Sequence, residues 1–500
     1  MHSVLYVRSL FRRRSNSAGG TDAPKKYFDL EPGWWKMPLL FLLSMALFGL
    51  HLYPAVAFVI ACIVFAWRAR RMYDMLLMSM IFFGGFGFAA IDLLKIWSSD
   101  IALAISIVLW FVMRKPQILK RTLLACVAYV AALFVFAMLS IESISVQILI
   151  MRPYLMFLCI IIPFAIFAKT EFVFDEFIRR ALSYCLVISI FYIIDAYILS
   201  GNVLVPDTAS WRTSTFYSPT WMPLSGVVTR KYPPGLYILA LIILPLARSY
   251  KLKLWQWAVL CIGIISTQTF TLILACVITF VLFQPSLRKS LIWIFTGIIG
   301  FLALYVVDSF LPSYTVNGYT QTTLRVKSSV DQVFDLFNAV DDEDIADFGS
   351  GRMAQVMPKL ELVGQQDREL IGLGFLHPQK THINQYIIVN DYYSDISQSI
   401  ELATGVEVIP VQIYINIGWL GLLCHTIFFI WLWLIIRRLP LASYYVSVVF
   451  FNIVLGISGF AGLTSAHGLL FVSIAYAAPI LAARSALPGY TKFWDSSAIK

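Results

Sequence analysis

Charge is scarce in this chain of 500 residues. Charged residues make up 13% of the sequence and hydrophobic residues 59%, whereas globular chains carry about 25% charged and roughly 45–50% apolar residues. The mean hydropathy is +0.78, and most of the charge lies in short clusters between long apolar runs. This pattern excludes an ordinary soluble protein and is typical of a chain that crosses a membrane many times.

The polar stretches also lack cysteine. All seven cysteines lie inside apolar runs, so the polar stretches offer neither a disulfide framework nor a thiolate metal site. No P-loop, dinucleotide fingerprint or zinc-ligand spacing is present. Asp342-Glu343-Asp344 has a D-x-D spacing that can hold a divalent ion, but a solvated helix end is the better interpretation of this acidic run. We therefore expect no metal and no cofactor.

Apolar runs divide the chain into about fourteen candidate membrane helices. A spanning helix needs about 20 apolar residues, and two stretches, 37–67 and 254–284, could each form one long helix or a hairpin. The charge distribution favours hairpins. The first run is expected to be a retained helix, because no small-residue cleavage site follows it. The predicted helices lie near 37–51, 53–67, 73–95, 100–113, 121–140, 153–168, 181–200, 233–248, 254–268, 270–284, 291–309, 409–436, 441–461 and 465–483.

The net charge of +10 indicates topology here, and we expect no nucleic-acid partner. Basic residues cluster at the edges of the apolar runs, and such clusters are held on the cytoplasmic side of a membrane. With fourteen crossings every strong cluster falls on that side, so both termini are expected to be cytoplasmic. The predicted parts are a tail at 1–36, helices 1–11 over 37–309 with an outer loop near 201–232, a large outer loop at 310–408, helices 12–14 over 409–483 and a tail at 484–500.

The large loop at 310–408 is the main candidate for function. It contains six Lys and Arg residues against fourteen Asp and Glu, half of the 28 acidic residues of the chain. A loop of this length is usually functional. Residues 323–347 and 353–363 have the patterns of an amphipathic helix and a second short helix, and 372–405 is expected to be irregular. The middles of the apolar runs carry few ionisable residues, which weighs against a transporter.

Basic residues at the expected outer ends of helices are candidates for binding an anion. Arg230 and Lys231 precede the start of one apolar run, and Arg152 precedes that of another. Arg352 follows Gly349-Ser350-Gly351 in the large loop, where backbone amides add donors. Because a guanidinium group binds two phosphate oxygens at once, we predict a clamp for a lipid-linked pyrophosphate. The alternative is that these residues only anchor the protein to lipid headgroups.

Three residues are candidates for a general base. His377 and His382 are the histidines of the large loop, and Glu407 lies directly before the next apolar run. An imidazole titrates near neutral pH, so a histidine can accept a proton from a sugar hydroxyl. A loop histidine is more often a surface residue or a hydrogen-bond partner, and the choice among the three stays open.

Four local stretches resemble the O-antigen polymerase and ligase superfamily, the Wzy-type and WaaL-type proteins. Thr229 to Gly235 is similar to the Arg-containing turn that opens a mid-chain helix. Ser266 to Phe270 stands where the family often has a Thr-x-Ser-Arg hairpin, without the Arg. Gly349-Ser350-Gly351-Arg352 followed by Ile371-Gly372-Leu373-Gly374 is similar to the start and middle of the family's periplasmic loop. Ile417 to Gly421 matches its G-[IL]-x-G helix opening.

The resemblance implies an all-α polytopic membrane protein of GT-C-like architecture in the bacterial inner membrane. It implies a polymerase that transfers glycan repeats from undecaprenyl pyrophosphate to a sugar hydroxyl at the periplasmic face, without metal or nucleotide sugar. Expected partners are this lipid-linked oligosaccharide, membrane lipids and other polysaccharide-assembly proteins. Many members carry a His about eleven residues before the Gly of the last motif, where this chain has Glu407. A ligase, a flippase or transporter, and a scaffold are the alternatives.

Overall fold

A computed structural model describes residues 26–49, 55–84, 90–91, 96–113, 117–140, 144–199, 215–217, 227–229, 234–267, 269–311, 313–316, 319–322, 326–328, 330–331, 359–361, 363–375, 408–457, 463 and 466–485. Helices dominate these residues. The first eight are α1 (Lys36–Gly49), α2 (Ala55–Arg68), α3 (Met72–Phe83), α4 (Ser98–Val112), α5 (Gln117–Met138), α6 (Ile144–Leu155), α7 (Ile161–Ile166) and α8 (Phe174–Tyr197). The next seven are α9 (Ala240–Arg248), α10 (Leu254–Ser266), α11 (Phe270–Leu282), α12 (Leu287–Phe310), α13 (Ile409–Ile436), α14 (Ala442–Ile457) and α15 (Ala466–Ser485).

Two 3-10 segments and several short strands connect these helices. The 3-10 segments, Met156–Ile160 and Pro234–Leu239, lead into α7 and α9. The strands are β1 (Lys26–Tyr27), β2 (Ala90–Ile91), β3 (Ile96–Trp97), β4 (Thr215–Tyr217), β5 (Val227–Thr229), β6 (Tyr250–Lys251), β7 (Ser313–Val316) and β8 (Tyr319–Thr322). They pair two by two, antiparallel as β2–β3, β4–β5 and β7–β8, and parallel as β1–β6.

The prediction of a mostly helical chain is confirmed. Each of the fourteen predicted segments overlaps a helix of the structure. Among the described residues, five helical stretches are long and apolar enough to cross a membrane, and shorter apolar helices account for the other segments. The number of crossings and their direction stay predictions. The five long stretches are Leu119–Met138, Phe174–Tyr197, Leu287–Phe310, Ile409–Ile436 and Gly468–Ser485.

Two of the predicted helix boundaries were wrong. Within the segment predicted at 73–95, α3 ends at Phe83, and Ala90–Ile91 is a strand paired with Ile96–Trp97. Glycines at 84, 85 and 87 follow Phe83, and glycine disfavours a continuing helix. Arg152 was expected at a helix start, but it lies in the last turn of α6, which tolerates Pro153 inside it.

Two apolar stretches with ambiguous length form separate helices. Residues 37–67 divide into α1 and α2, and residues 254–284 divide into α10 and α11. Thr269, the residue before α11, has an extended backbone, which interrupts the helical run. Both pairs make direct contact within the pair.

The core lies where the last three helices meet the first half of the chain. The helix α13 packs along α5, and α15 packs along α14 and the 3-10 segment at 156–160. At the α8–α10 crossing, a Cβ atom on Gly263 would come within 2.4 Å of Ser189 Cβ, so the two backbones are in close contact. In contrast, α12 buries none of its apolar window against the rest of the described chain, as expected for a helix surrounded by lipid.

The bundle has two distinct ends. We call the end where α12 ends and α13 begins the loop end, because residues 311–408 connect them there. At the opposite end, β1 pairs with β6 and the backbone N–H of Phe28 donates to the carbonyl of Lys251 (2.9 Å). The Phe28 side chain is buried and its ring contacts Tyr250.

Candidate functional site

Most of the residues predicted to carry chemistry lie outside the described residues. This holds for Arg230, Lys231, Arg352, His377, His382 and Glu407. Three of them lie next to described residues: Arg230 follows β5, His377 follows Phe375 by two residues, and Glu407 directly precedes Val408. Arg152 is the one predicted site residue that the structure describes.

A segment of the large loop, Arg368–Phe375, is docked onto the loop end of the bundle. Its backbone pairs with the first half of α13, since Leu373 N donates to Ile415 O and Gly374 N donates to Asn416 O (both 2.8 Å). The two glycine motifs noted in the sequence, Ile371 to Gly374 and Ile417 to Gly421, are therefore in direct contact. Their contact was not predicted from the sequence.

Two glycines make this close approach possible. A Cβ atom on Gly372 would lie 2.5 Å from the backbone of Asn416 and Ile417, and one on Gly418 would lie 2.3 Å from the carbonyl carbon of Leu370. Both residues also have positive φ values, +73° and +64°, which side-chain-bearing residues rarely adopt. Only glycine meets both requirements at these positions.

The helix α13 is broken at Gly418, where φ is 64° and ψ is −169°. A new helical half thus begins at Trp419, and the first N–H groups of a helix normally need a partner or bind an anion. Here Trp419 N donates to Glu369 O (2.9 Å) and Leu420 N donates to Leu370 O (3.1 Å). Carbonyls of the docked segment occupy these donors, so they are not available to a phosphate.

Residues of α6 and of the turn that follows α5 hold the other edge of the docked segment. Ser140 Oγ donates to Leu373 O (2.8 Å), and the backbone N–H of Phe375 donates to Gln147 Oε1. The Arg368 guanidinium donates to the carbonyl of Leu139 at the end of α5. The segment is therefore bound on both sides by backbone and side-chain hydrogen bonds.

Phe375 ends the docked segment in a buried aromatic contact with α6. Its ring packs edge-on against Tyr154 with 5.1 Å between centroids. The Tyr154 hydroxyl accepts a hydrogen bond from Asn416 Nδ2 (3.1 Å), so α6, α13 and the loop meet at one point. Arg152 lies two residues before Tyr154 on the same helix.

Arg152 is engaged in an ion pair. Its Nη1 atom donates to Oδ2 of Asp100 at the start of α4 (2.7 Å), and the two side chains keep 29% and 24% of their exposure. Arg152 is thus placed at the loop end of the bundle with an acidic neighbour.

The start of the large loop is attached to α12 by Asp308. This buried carboxylate accepts hydrogen bonds from the Thr322 hydroxyl on β8 and from the backbone N–H of Lys327 (2.9 Å). Residues 326–328 and 330–331 are helical, in agreement with the predicted helix at 323–347, of which the remainder lies outside the described residues. A carboxylate at this position caps the helical turn.

Lys359 is a buried cation in the loop, with 7% of its surface exposed. Burial lowers the pKa of Lys359 to about 8, because desolvation disfavours the charged form. Residues 359–361 are helical, within the short helix predicted at 353–363. The sequence analysis did not single out this lysine.

Within the part of the chain that the structure describes, no group of three or more His, Cys, Asp or Glu side chains is placed to hold a metal ion. Four polar residues of the docking contacts and the core were not predicted from the sequence: Gln147, Arg368, Asn416 and His425. A polar residue isolated in an apolar run is a sequence signal for a functional position, and Gln147, Asn416 and His425 each have this pattern.

Comparisons with protein-family models, with curated proteins and with solved structures find no match.

Proposed function

We propose that this protein is a polysaccharide polymerase, a membrane glycosyltransferase that uses a polyprenyl-pyrophosphate-linked donor. In this proposal it transfers glycan repeats from undecaprenyl pyrophosphate to a sugar hydroxyl at the outer face of the bacterial inner membrane. The loop end of the bundle would be the outer end. The observation that carries the proposal is the contact of Phe375 with Gln147 and Tyr154.

This contact joins a loop residue that lies close in sequence to His377, one of the three candidate bases, to the helix that carries Arg152. His377 follows Phe375 by two residues, so chain geometry allows at most about 7 Å between their Cα atoms. Arg152 lies two residues from Tyr154 on α6, so both residues belong to the same end of that helix. The docked segment thus supports a site at the end of the bundle, where the pyrophosphate of a membrane-anchored donor would lie.

The proposed chemistry requires little covalent work from the protein. Pyrophosphate is a good leaving group, so fixed cations that stabilise its developing charge supply most of the catalysis. Arg352, Arg230, Lys231 and Arg152 would hold the diphosphate. One of His382, His377 and Glu407 would receive the proton of the attacking hydroxyl.

The proposal is tested by replacing the clamp arginines in the full-length chain. Arg352→Ala, Arg352→Lys and Arg230→Ala are compared with Arg288→Ala, which removes an exposed arginine at the opposite end of the bundle. We expect normal membrane levels in all four variants and loss of polymer on a gel in the first three. Lysine should fail because it cannot bind two phosphate oxygens in parallel.

Polymer of normal length in all variants would refute the clamp. Deletion of the gene separates the two transfer reactions, because loss of chain length with single repeats retained indicates a polymerase. Full-length glycan left on its lipid carrier would instead indicate a ligase.

A further inference from the structure

Two aromatic side chains of α13 form an exposed surface beside the docked segment. The rings of Tyr414 and Trp419 lie 5.0 Å apart between centroids, with an angle of 55° between their planes. Trp419 keeps 58% of its surface exposed, and Tyr414 is partly buried. The docked segment holds the tryptophan in place, because the backbone N–H of Trp419 donates to the carbonyl of Glu369 (2.9 Å). A large part of the indole ring is therefore open to a ligand on a fixed backbone.

The position of the aromatic pair along α13 puts it close to a membrane boundary. Arg437 and Arg438 follow the end of this helix, and Trp419 lies 18 residues before Arg437, roughly 27 Å at about 1.5 Å per residue. The hydrocarbon core of a bilayer is about 30 Å thick, so with the two arginines at one surface Trp419 reaches the other. Its ring contacts Tyr414, five residues nearer the start of α13. The indole is therefore directed away from the hydrocarbon core and towards water.

The charge next to the aromatic pair is acidic. Glu369 is exposed and lies close enough to Tyr414 for a direct electrostatic interaction. Glu361 and Asp367 in the same stretch of the loop are also exposed, whereas Arg368 donates to a backbone carbonyl at the end of α5. Like charges repel, so this surface disfavours phosphate groups, both those of anionic lipids and the pyrophosphate of a lipid-linked donor. A carboxylate accepts hydrogen bonds from hydroxyl groups and so favours a ligand that is rich in them.

We propose that Trp419, Tyr414 and Glu369 bind the sugar residues of a glycan chain. One face of a pyranose ring presents C–H groups, which are apolar and slightly positive, and an aromatic ring presents a negative face to them. Hydroxyl groups at the edge of the same sugar donate to the Glu369 carboxylate. This choice of ligand rests on the proposed function, in which a lipid-linked glycan lies at the same end of the bundle.

This glycan surface and the pyrophosphate clamp have different effects on the product. The glycan surface holds the sugar chain between successive transfers, so the enzyme adds more repeats before the chain is released. Weakening it should shorten the polymer without abolishing transfer. Loss of the clamp should abolish the polymer altogether, because the leaving group is then no longer stabilised.

Binding of polysaccharide to the full chain in phosphatidylcholine nanodiscs tests the proposal separately from transfer. The probe is the surface polysaccharide purified from cells that produce this protein, and its affinity is measured by surface plasmon resonance on captured nanodiscs. Trp419→Leu should weaken binding about tenfold, because it removes the stacking ring, whereas Trp419→Tyr should retain most of the affinity. Glu369→Gln should weaken binding about fivefold, because it replaces a charged acceptor by a neutral one.

A matched control is available on the same helix. Trp433→Leu removes a tryptophan that is 37% exposed near the opposite end of α13, and it should bind the polysaccharide like the wild type. No measurable binding to the wild type, or wild-type affinity in a folded Trp419→Leu protein, would overturn the proposal. Wild-type affinity together with a lower membrane level of Trp419→Leu would assign this tryptophan to anchoring at lipid headgroups instead.

Arg352→Ala separates this inference from the proposed function. It should bind the polysaccharide with wild-type affinity while cells that carry it make no polymer, and cells that carry Trp419→Leu should make a shortened polymer. Normal polymer in Arg352→Ala would refute the clamp, and a loss of affinity in Trp419→Leu would still support the glycan surface. Unchanged affinity in Trp419→Leu would refute the glycan surface, whatever the outcome for Arg352.

Discussion

The Gly418→Ala substitution should release the docked loop segment from α13 without unfolding the bundle. The φ and ψ values of Gly418, 64° and −169°, lie in a region that is essentially restricted to glycine, and a residue with a side chain pays about 1–3 kcal/mol there. The added Cβ atom would also lie 2.3 Å from the carbonyl carbon of Leu370. Because that neighbour is backbone, the contact is relieved only if the segment moves away.

The magnitude follows from the hydrogen bonds that hold the segment. Four backbone hydrogen bonds join residues 369–374 to residues 415–420, each contributing about 0.5–1.5 kcal/mol. A penalty of about 3 kcal/mol therefore offsets a large part of the roughly 2–6 kcal/mol that these four bonds supply. It raises the open population about 100-fold.

Hydrogen–deuterium exchange measures this opening directly. Peptides that cover residues 369–375 and 415–424 should exchange about 100-fold faster in Gly418→Ala than in the wild type, while peptides of α8 and α15 stay unchanged. Gly300→Ala is the control, because a Cβ atom there meets nothing within 4 Å and alanine favours the helix by about 1 kcal/mol. Wild-type exchange in Gly418→Ala would refute the assigned role of this glycine.

Three further predictions concern the loop end. In a double-mutant cycle of Arg152→Ala and Asp100→Ala, the unfolding free energy should show a coupling of about 1 kcal/mol for this partly buried pair; additive effects would contradict the ion pair. Gln147→Leu should leave the Phe375 N–H without an acceptor and weaken docking by about 1–3 kcal/mol, seen as faster proteolysis of the loop, whereas Gln365→Leu on the exposed surface should have no effect. Burial lowers the pKa of Lys359 to about 8 from 10.5, so between these values the unfolded chain holds the extra proton and the free energy of unfolding rises with pH. Lys359→Met should therefore raise the Tm most below pH 8, with a gain that shrinks towards pH 10; a constant gain would contradict the lowered pKa.

The positions of the helices followed from hydrophobic runs, because long apolar segments leave few alternatives in a chain with so little charge. The end of α3 did not follow from this pattern, because the apolar run continues past Phe83 while glycines end the helix. Arg152 was placed at a helix start on the general preference of proline for that position, but α6 begins earlier, at Ile144. A single sequence does not show how many helical turns precede a proline that lies inside a helix.

The candidate site was predictable only in parts. The motifs around Gly372 and Gly418 were recognised, yet their mutual contact depends on pairing between residues more than forty positions apart in sequence, which no local pattern encodes. His425 was overlooked because the search for chemistry concentrated on the loop. The hydrogen bond of His425 to Tyr129 on α5 exists only after the helices assemble.

The contacts of the last three helices have a consequence for biosynthesis. The surface of α5 that packs on α13, and the segment 156–160 that packs on α15, are made long before their partners leave the ribosome. The first twelve helices therefore have incomplete packing until the C-terminal residues are made. A chain truncated after α12 would lose the packing of Phe428 against Tyr129 and Phe157 and would be a target for quality-control proteolysis, even though most of its apolar helices are present.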